Sequence, residues 1–201
     1  MEIIPCIWIK HPKCYSLFSQ ELPLSRIHTI LPQESILYLY DVHGIAENRP
    51  DLTMMQRFAD EYIVWVDAGV RSVDDVMDVV TAGASKITLR KNLWQTLEIP
   101  KIRDVTDVEL YLDISSGNFR SWIELSVYAD ILGFTYVDID HHTDEQYYEN
   151  TIKELSTKYK IYLLKTTVNS MHHWKEYPIA GFIVDITKYQ EFKNLCSTKQ
   201  E

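Results

Sequence analysis

The sequence predicts a compact (β/α)8 TIM barrel, a single domain over residues 1–201. Three observations predict it. Short apolar, β-branched or aromatic runs recur roughly every 20–27 residues, the spacing of one strand plus one helix, and eight of them fit the chain. Most are followed by apolar residues at helical spacing, so the order is strand, loop, helix, strand. No linker, low-complexity segment or domain boundary interrupts the series. An open doubly wound sheet is the alternative, and it suits fewer strands.

The elements follow in order. Ile3 to Ile9 is a first strand, with Pro5 near its start, where a missing N–H is tolerated. Lys10-His11-Pro12-Lys13 is a loop, and Pro23 and Pro32 leave room only for a short helix between them. Ser35 to Tyr40 is a second strand that runs into Asp41-Val42-His43-Gly44, and Asp51 to Glu61 is a helix. Tyr62 to Val66 is the third strand, ending at Asp67-Ala68-Gly69. Ser72 is placed to cap the next helix, with Asp74 and Asp75 in its first turn and Gly83 at its end. Lys86 to Leu89 is the fourth strand, ending at Arg90 and Lys91. Asp107 to Leu112 is the fifth, ending at Asp113, with Trp122 to Leu132 helical after it. Phe134 to Val137 is the sixth, and Glu145 to Lys158 an amphipathic helix. Lys160 to Leu164, a short helix from Asn169 to Glu176, Ile179 to Val184 and a helix from Tyr189 to Leu195 complete the chain.

Composition narrows the function. The chain is 46% hydrophobic, enough for one sizeable core. Its formal net charge is -9, with Lys+Arg 20 against Asp+Glu 29 and no basic run, which disfavours a nucleic-acid partner. Cys6, Cys14 and Cys196 are scattered, so neither a disulfide framework nor a zinc motif is expected. No apolar run has the length of a membrane span and no signal-peptide pattern opens the chain, so a cytoplasmic protein without a membrane partner is expected.

In a barrel, chemistry sits at the C-terminal ends of the strands. Those ends carry Trp8 and Lys10, Asp41 and His43, Asp67 and Arg71, Arg90 and Lys91, Asp113, Asp138 with Asp140 and His141, Lys165 with Thr166 and Thr167, and Asp185. The ordinary reading of any one such Asp is a cap on the following helix. Their convergence on one rim is what points to a pocket.

Several of these stretches carry a resemblance. IIPCIWIKHPKCYSL, LYLYDVHGI, WVDAGVRSVDDVMDVVTAGASKI and LYLDISSGNF are similar to the first, second, third and fifth strand regions of the histidine-biosynthesis barrels. The chain thus resembles HisA (ProFAR isomerase) and HisF (the cyclase subunit) along nearly its whole length, most closely before Asp140. The resemblance implies a TIM barrel, a phosphorylated substrate and Asp113 as general acid. It also shows departures. The family's first-strand Asp, its general base, is Trp8 here; the Thr before its sixth-strand Asp is Val137. Its glycine-rich phosphate turns become Lys165-Thr166-Thr167 and Val184-Asp185-Ile186, with Asp67 and Arg90 at the third and fourth strands, and only Gly69 is kept. The implied relative is therefore a divergent one, neither ProFAR isomerase nor cyclase. Relatives of that kind occur in methanogenic archaea and methylotrophs, associated with one-carbon (methanopterin-type) cofactor biosynthesis.

Three functional expectations follow. The first is an isomerase- or lyase-type enzyme on a small phosphorylated or polar biosynthetic intermediate. Its acid/base groups are Asp113 with Asp41 or His43, and Asp67, Gly69, Arg71, Arg90, Lys91, Lys165 and Thr167 bind the substrate. The second, ranked last, uses Lys165 as a Schiff base, or a metal at Asp138, Asp140, His141 and His142 with Asp113 or Asp185; no spaced metal motif supports the latter. The third, ranked second, is a non-catalytic barrel that binds a partner through its aromatic residues. No cofactor is named by the sequence, and a homodimer stays open.

Overall fold

The computed structural model describes residues 1–114, 133–137, 145–164 and 167–197. The expected helix over 122–132, Asp138 to Asp144, and Lys165 with Thr166 lie outside the described residues.

Among the described residues nine strands form one sheet. β1 (Glu2–Lys10) turns back into β2 (Lys13–Tyr15), and α1 (Leu24–Ile30) leads to β3 (Ile36–Asp41). α2 (Val42–Glu47) and α3 (Leu52–Ala59) precede β4 (Ile63–Asp67), and α4 (Val73–Thr81) precedes β5 (Ala84–Leu89). A 3-10 turn (Lys91–Leu93) and α5 (Ile99–Arg103) lead to β6 (Glu109–Asp113). Then come β7 (Gly133–Val137), α6 (Glu145–Ser156), β8 (Lys160–Leu164), α7 (Val168–Trp174), β9 (Gly181–Asp185), a 3-10 turn (Ile186–Lys188) and α8 (Tyr189–Ser197). The strands lie side by side in the order β2-β1-β3-β4-β5-β6-β7-β8-β9. Among these strands β2 alone pairs antiparallel, against β1. The sheet curls far enough for β9 to pair in parallel with β1, from Glu2 opposite Gly181 to Cys6 opposite Asp185.

The apolar runs are strands, as the sequence predicts, but the compact (β/α)8 TIM barrel is corrected. The structure supports a mixed α/β fold: a curled parallel sheet with an antiparallel strand at its side and few, short helices between strands. β1 is followed first by β2, β3 by two helices in succession, and β5 by a 3-10 turn and a five-residue helix. Among the described residues the longest helix is the 12-residue α6. Pro32 after α1 and Pro50 between α2 and α3 contribute, since each lacks an amide donor and restricts the residue before it. Strand spacing reports a parallel sheet, whereas the regular helical layer of a TIM barrel needs longer crossovers than these. No helix among the described residues is long and apolar enough to cross a membrane.

The parallel strands β3–β6, β8 and β9 are buried on both faces, and the faces differ in chemistry. Towards the helices lie aliphatic residues such as Ile7, Leu39, Val66, Leu89, Leu112 and Leu163. On the concave face lie Tyr38, Trp65, Tyr111 and Tyr162 with Ile4, Cys6, Leu164 and Ile183. Trp65 is the centre of this inner cluster, with ring centroids 4.1 Å from Tyr111, 5.0 Å from Tyr162 and 5.3 Å from Tyr38. Its indole Nε1 donates to Thr88 Oγ1 at 3.0 Å, so the one polar atom of the ring is satisfied. At the strand starts, Lys86 pairs with Glu109 at 2.5 Å, and Tyr111 and Tyr162 donate to Glu109 and Glu2.

Candidate functional site

Strand periodicity places a second layer above the aromatic one. Side chains two residues apart share a face. Beyond Tyr38, Trp65, Thr88 and Tyr111 on the concave face therefore come Tyr40, Asp67, Arg90 and Asp113. Tyr40 pairs with Asp67 across β3 and β4. Leu89 pairs with Leu112, which sets Arg90 beside Asp113 at the ends of β5 and β6.

These side chains form a buried carboxylate–guanidinium–carboxylate group. Arg90 Nε donates to Asp67 Oδ1 at 2.9 Å and Nη2 to Asp67 Oδ2 at 2.7 Å, a two-pronged pair. Its Nη1 lies 2.8 Å from Asp113 Oδ2. The Arg90 side chain is 11% exposed, that of Asp67 0% and that of Asp113 1%. Burial alone would lower the Arg90 pKa, but the charges of Asp67 and Asp113 and the bonds to Asp67 raise it well above its ordinary value. Asp67 Oδ2 also accepts from the Tyr38 hydroxyl at 3.2 Å, which ties the ionic layer to the aromatic one. Burial, then the neighbouring Asp67 charge, pushes the Tyr38 phenol up. Tyr40 is raised too, mainly by burial, and its ring lies 5.4 Å from the guanidinium carbon of Arg90. Trp8 extends the wall, 5.6 Å from Tyr40, with Lys10 Nζ 5.0 Å from its ring.

Asp67, Arg90 and Asp113, all named from the sequence, are thus brought together. Counted formally they carry one net negative charge. Tyr38, Tyr40 and Thr88 were missed. The signal for the two tyrosines is the alternation of Tyr38-Leu39-Tyr40, which marks the concave face.

The other expected site residues do different work. Asp41 faces the helices, its Oδ1 accepting from the Gly44 amide at 2.9 Å and its Oδ2 from the Asp51 amide at 2.7 Å. Burial raises its pKa and these amides partly offset that, so the carboxylate acts as a double cap for α2 and its following loop. Asp41→Ala leaves two amides without their acceptor and is expected to cost about 1–3 kcal/mol, read by urea unfolding. His43 lies in α2 and lines a groove with His11 and Arg49. Gly69 has φ +64, and a Cβ there would stand 2.5 Å from Ile45 Cα. The glycine serves a close approach of this loop to α2. Arg71 donates to the Ile45 carbonyl at 2.8 Å, binding the same two segments. Thr167 is exposed and caps α7 through Ser170. Lys91 opens the 3-10 turn after β5.

Asp185 holds the thiol-free loop after β2. Its Oδ2 accepts from the Leu17 amide at 2.5 Å, and its Oδ1 from the Thr187 amide at 2.7 Å. Leu17 packs against the concave cluster. Among the described residues no group of three His, Cys, Asp or Glu could hold a metal ion. Lys165, and the expected metal cluster at Asp138, Asp140, His141 and His142, fall outside the described residues.

No known family model matches the chain, and no curated protein matches it. The resemblance to the HisA/HisF barrels is therefore corrected: neither a family match nor the fold supports membership. It rested on short strand-end motifs, and the glycine that carried the third of them is packed against the chain's own α2.

Proposed function

We propose that the ends of β4, β5 and β6 form a small-molecule site at which Asp113 gives and takes a proton, as in isomerase- or lyase-type chemistry. The observation that supports this is Arg90, which grips Asp67 with two donors and forms an ion pair with Asp113. Asp67 fixes the guanidinium, which lies against the Tyr40 ring and holds the Asp113 carboxylate as an ion pair. General acid–base work needs a carboxyl held in one orientation inside a walled site.

The charge of the group refines the expected substrate. Arg90 is already neutralised by two carboxylates, so it offers little to a phosphate. A small polar molecule bearing hydroxyl or amino groups complements a site with one net negative charge better than an anionic one. The test is deuterium exchange. A hydroxy- or amino-carbonyl compound that binds the protein should gain deuterium from D2O in its presence, and Asp113→Asn should slow that gain about 100-fold or more. Equal exchange in both proteins would remove Asp113 from the chemistry.

A second reading, a non-catalytic scaffold, is favoured by Leu17, which sits on the concave cluster under the grip of Asp185. On that reading the ionic group only holds three strands together, and no small molecule exchanges.

A further inference from the structure

A groove lies outside the site described above. The turn joining β1 to β2 and the segment joining α2 to α3 enclose a groove of about 480 Å3, lined by His11, His43, Arg49, Asp51 and Thr53 among others. Asp67, Arg90 and Asp113 do not line it. The groove gathers three groups able to donate to an anion, on a chain whose formal net charge is -9.

One of the three is held in place. His11 Nδ1 lies 2.6 Å from Asp51 Oδ2. Asp51 is itself fixed: its side chain is 7% exposed, its Oδ1 accepts from the Met54 amide at 3.0 Å, and its own amide donates to Asp41 at 2.7 Å. The Asp51 carboxylate on Nδ1 orients the imidazole and leaves Nε2 as the ring's other polar atom. Arg49 contacts Glu47, but the two side chains are 73% and 46% exposed, so water and salt screen the pair and little is lost in opening it. The Asp51 carboxylate, by contrast, has both oxygens engaged, Oδ2 by His11 and Oδ1 by the start of α3.

We propose that this groove is a binding site for a small oxyanion, a carboxylate or a phosphate group, held by His11, His43 and Arg49. It is independent of the reading of Asp113 given above. A planar guanidinium and two imidazoles within one concavity match the oxygens of such a group, each through a charge-assisted hydrogen bond.

The experiment is a titration of the whole chain with inorganic phosphate, and separately with acetate, at constant ionic strength. The ring Cε1–H signals of His11 and His43 are followed by NMR. Saturating shifts of both signals are expected with one anion or with both, and which one saturates names the class. Affinity should fall about tenfold in Arg49→Ala and should rise about threefold in Glu47→Gln, which frees the guanidinium. Both positions are exposed, so unchanged melting temperatures would verify the fold of these variants. Asp113→Asn should leave the affinity unaltered even if the acid–base reading fails. Shifts that stay linear with concentration, or an affinity indifferent to Arg49→Ala, would overturn the proposal.

Discussion

Replacing Arg90 by methionine is expected to destabilise the fold by about 3–5 kcal/mol, the cost of leaving buried charges without their partner. Asp67 and Asp113 are essentially inaccessible to water, and both face the guanidinium. Methionine fills much of the volume and donates nothing. The two carboxylates would then be near-buried like charges, for which the protonated form is favoured. The sign of the pH dependence follows. A carboxyl whose pKa in the folded variant lies above its unfolded value contributes stability below the unfolded pKa, and that contribution is lost as pH rises through the folded value. The deficit of Arg90→Met against the wild type should therefore be smallest in acid and should widen towards neutral pH. Urea unfolding of both proteins across that range measures it. A deficit that is flat with pH would mean that the guanidinium matters for packing rather than for charge.

Trp65→Ala is expected to cost a similar amount, about 3–5 kcal/mol, for a different reason. Trp65 is wholly buried at the centre of the inner cluster, with three tyrosine rings within 5.3 Å. Alanine leaves a cavity bounded by Tyr38, Tyr111 and Tyr162, strands of one rigid sheet that cannot collapse into it. It also removes one donor from Thr88, although Tyr38 remains 3.2 Å from that hydroxyl. Trp65→Phe keeps most of the ring area and should cost roughly a third to a half as much. The midpoint of urea unfolding should fall in this order, alanine below phenylalanine below wild type, with the slope unchanged. The two substitutions act on adjacent layers linked by the Tyr38 hydroxyl, so their effects in combination should not add.

The strands were legible because each is a short apolar run bounded by polar residues. What made them less distinct is that both faces are apolar. The alternation is aliphatic against aromatic, as in Leu110-Tyr111-Leu112, rather than apolar against polar. That alternation also decides which strand-end carboxylates face inward. Asp67 stands two residues after Trp65 and shares its face, whereas Asp41 stands one residue after Tyr40 and turns towards the helices. Reading both as rim acids overlooked this parity. The pairing of Arg90 with two carboxylates was not legible, because it depends on the register of β4, β5 and β6, and β4 and β5 shift register between Val64 and Trp65. Nor was α2: a six-residue helix beginning at Asp41's cap leaves no periodic pattern to read. The helical layer misled most, since apolar spacing shows that a helix forms but not how short it is.

The most direct test of the account is a thermal-shift screen of the wild type and Asp113→Asn side by side against small hydroxylated and amino-bearing carbonyl compounds. Specific binding raises the melting temperature by mass action. The account predicts that at least one compound stabilises the wild type and stabilises Asp113→Asn less, with both proteins folded in its absence. No shift with any compound, or the same shift in both proteins, would contradict it and leave the Asp67–Arg90–Asp113 group as a clamp between strands.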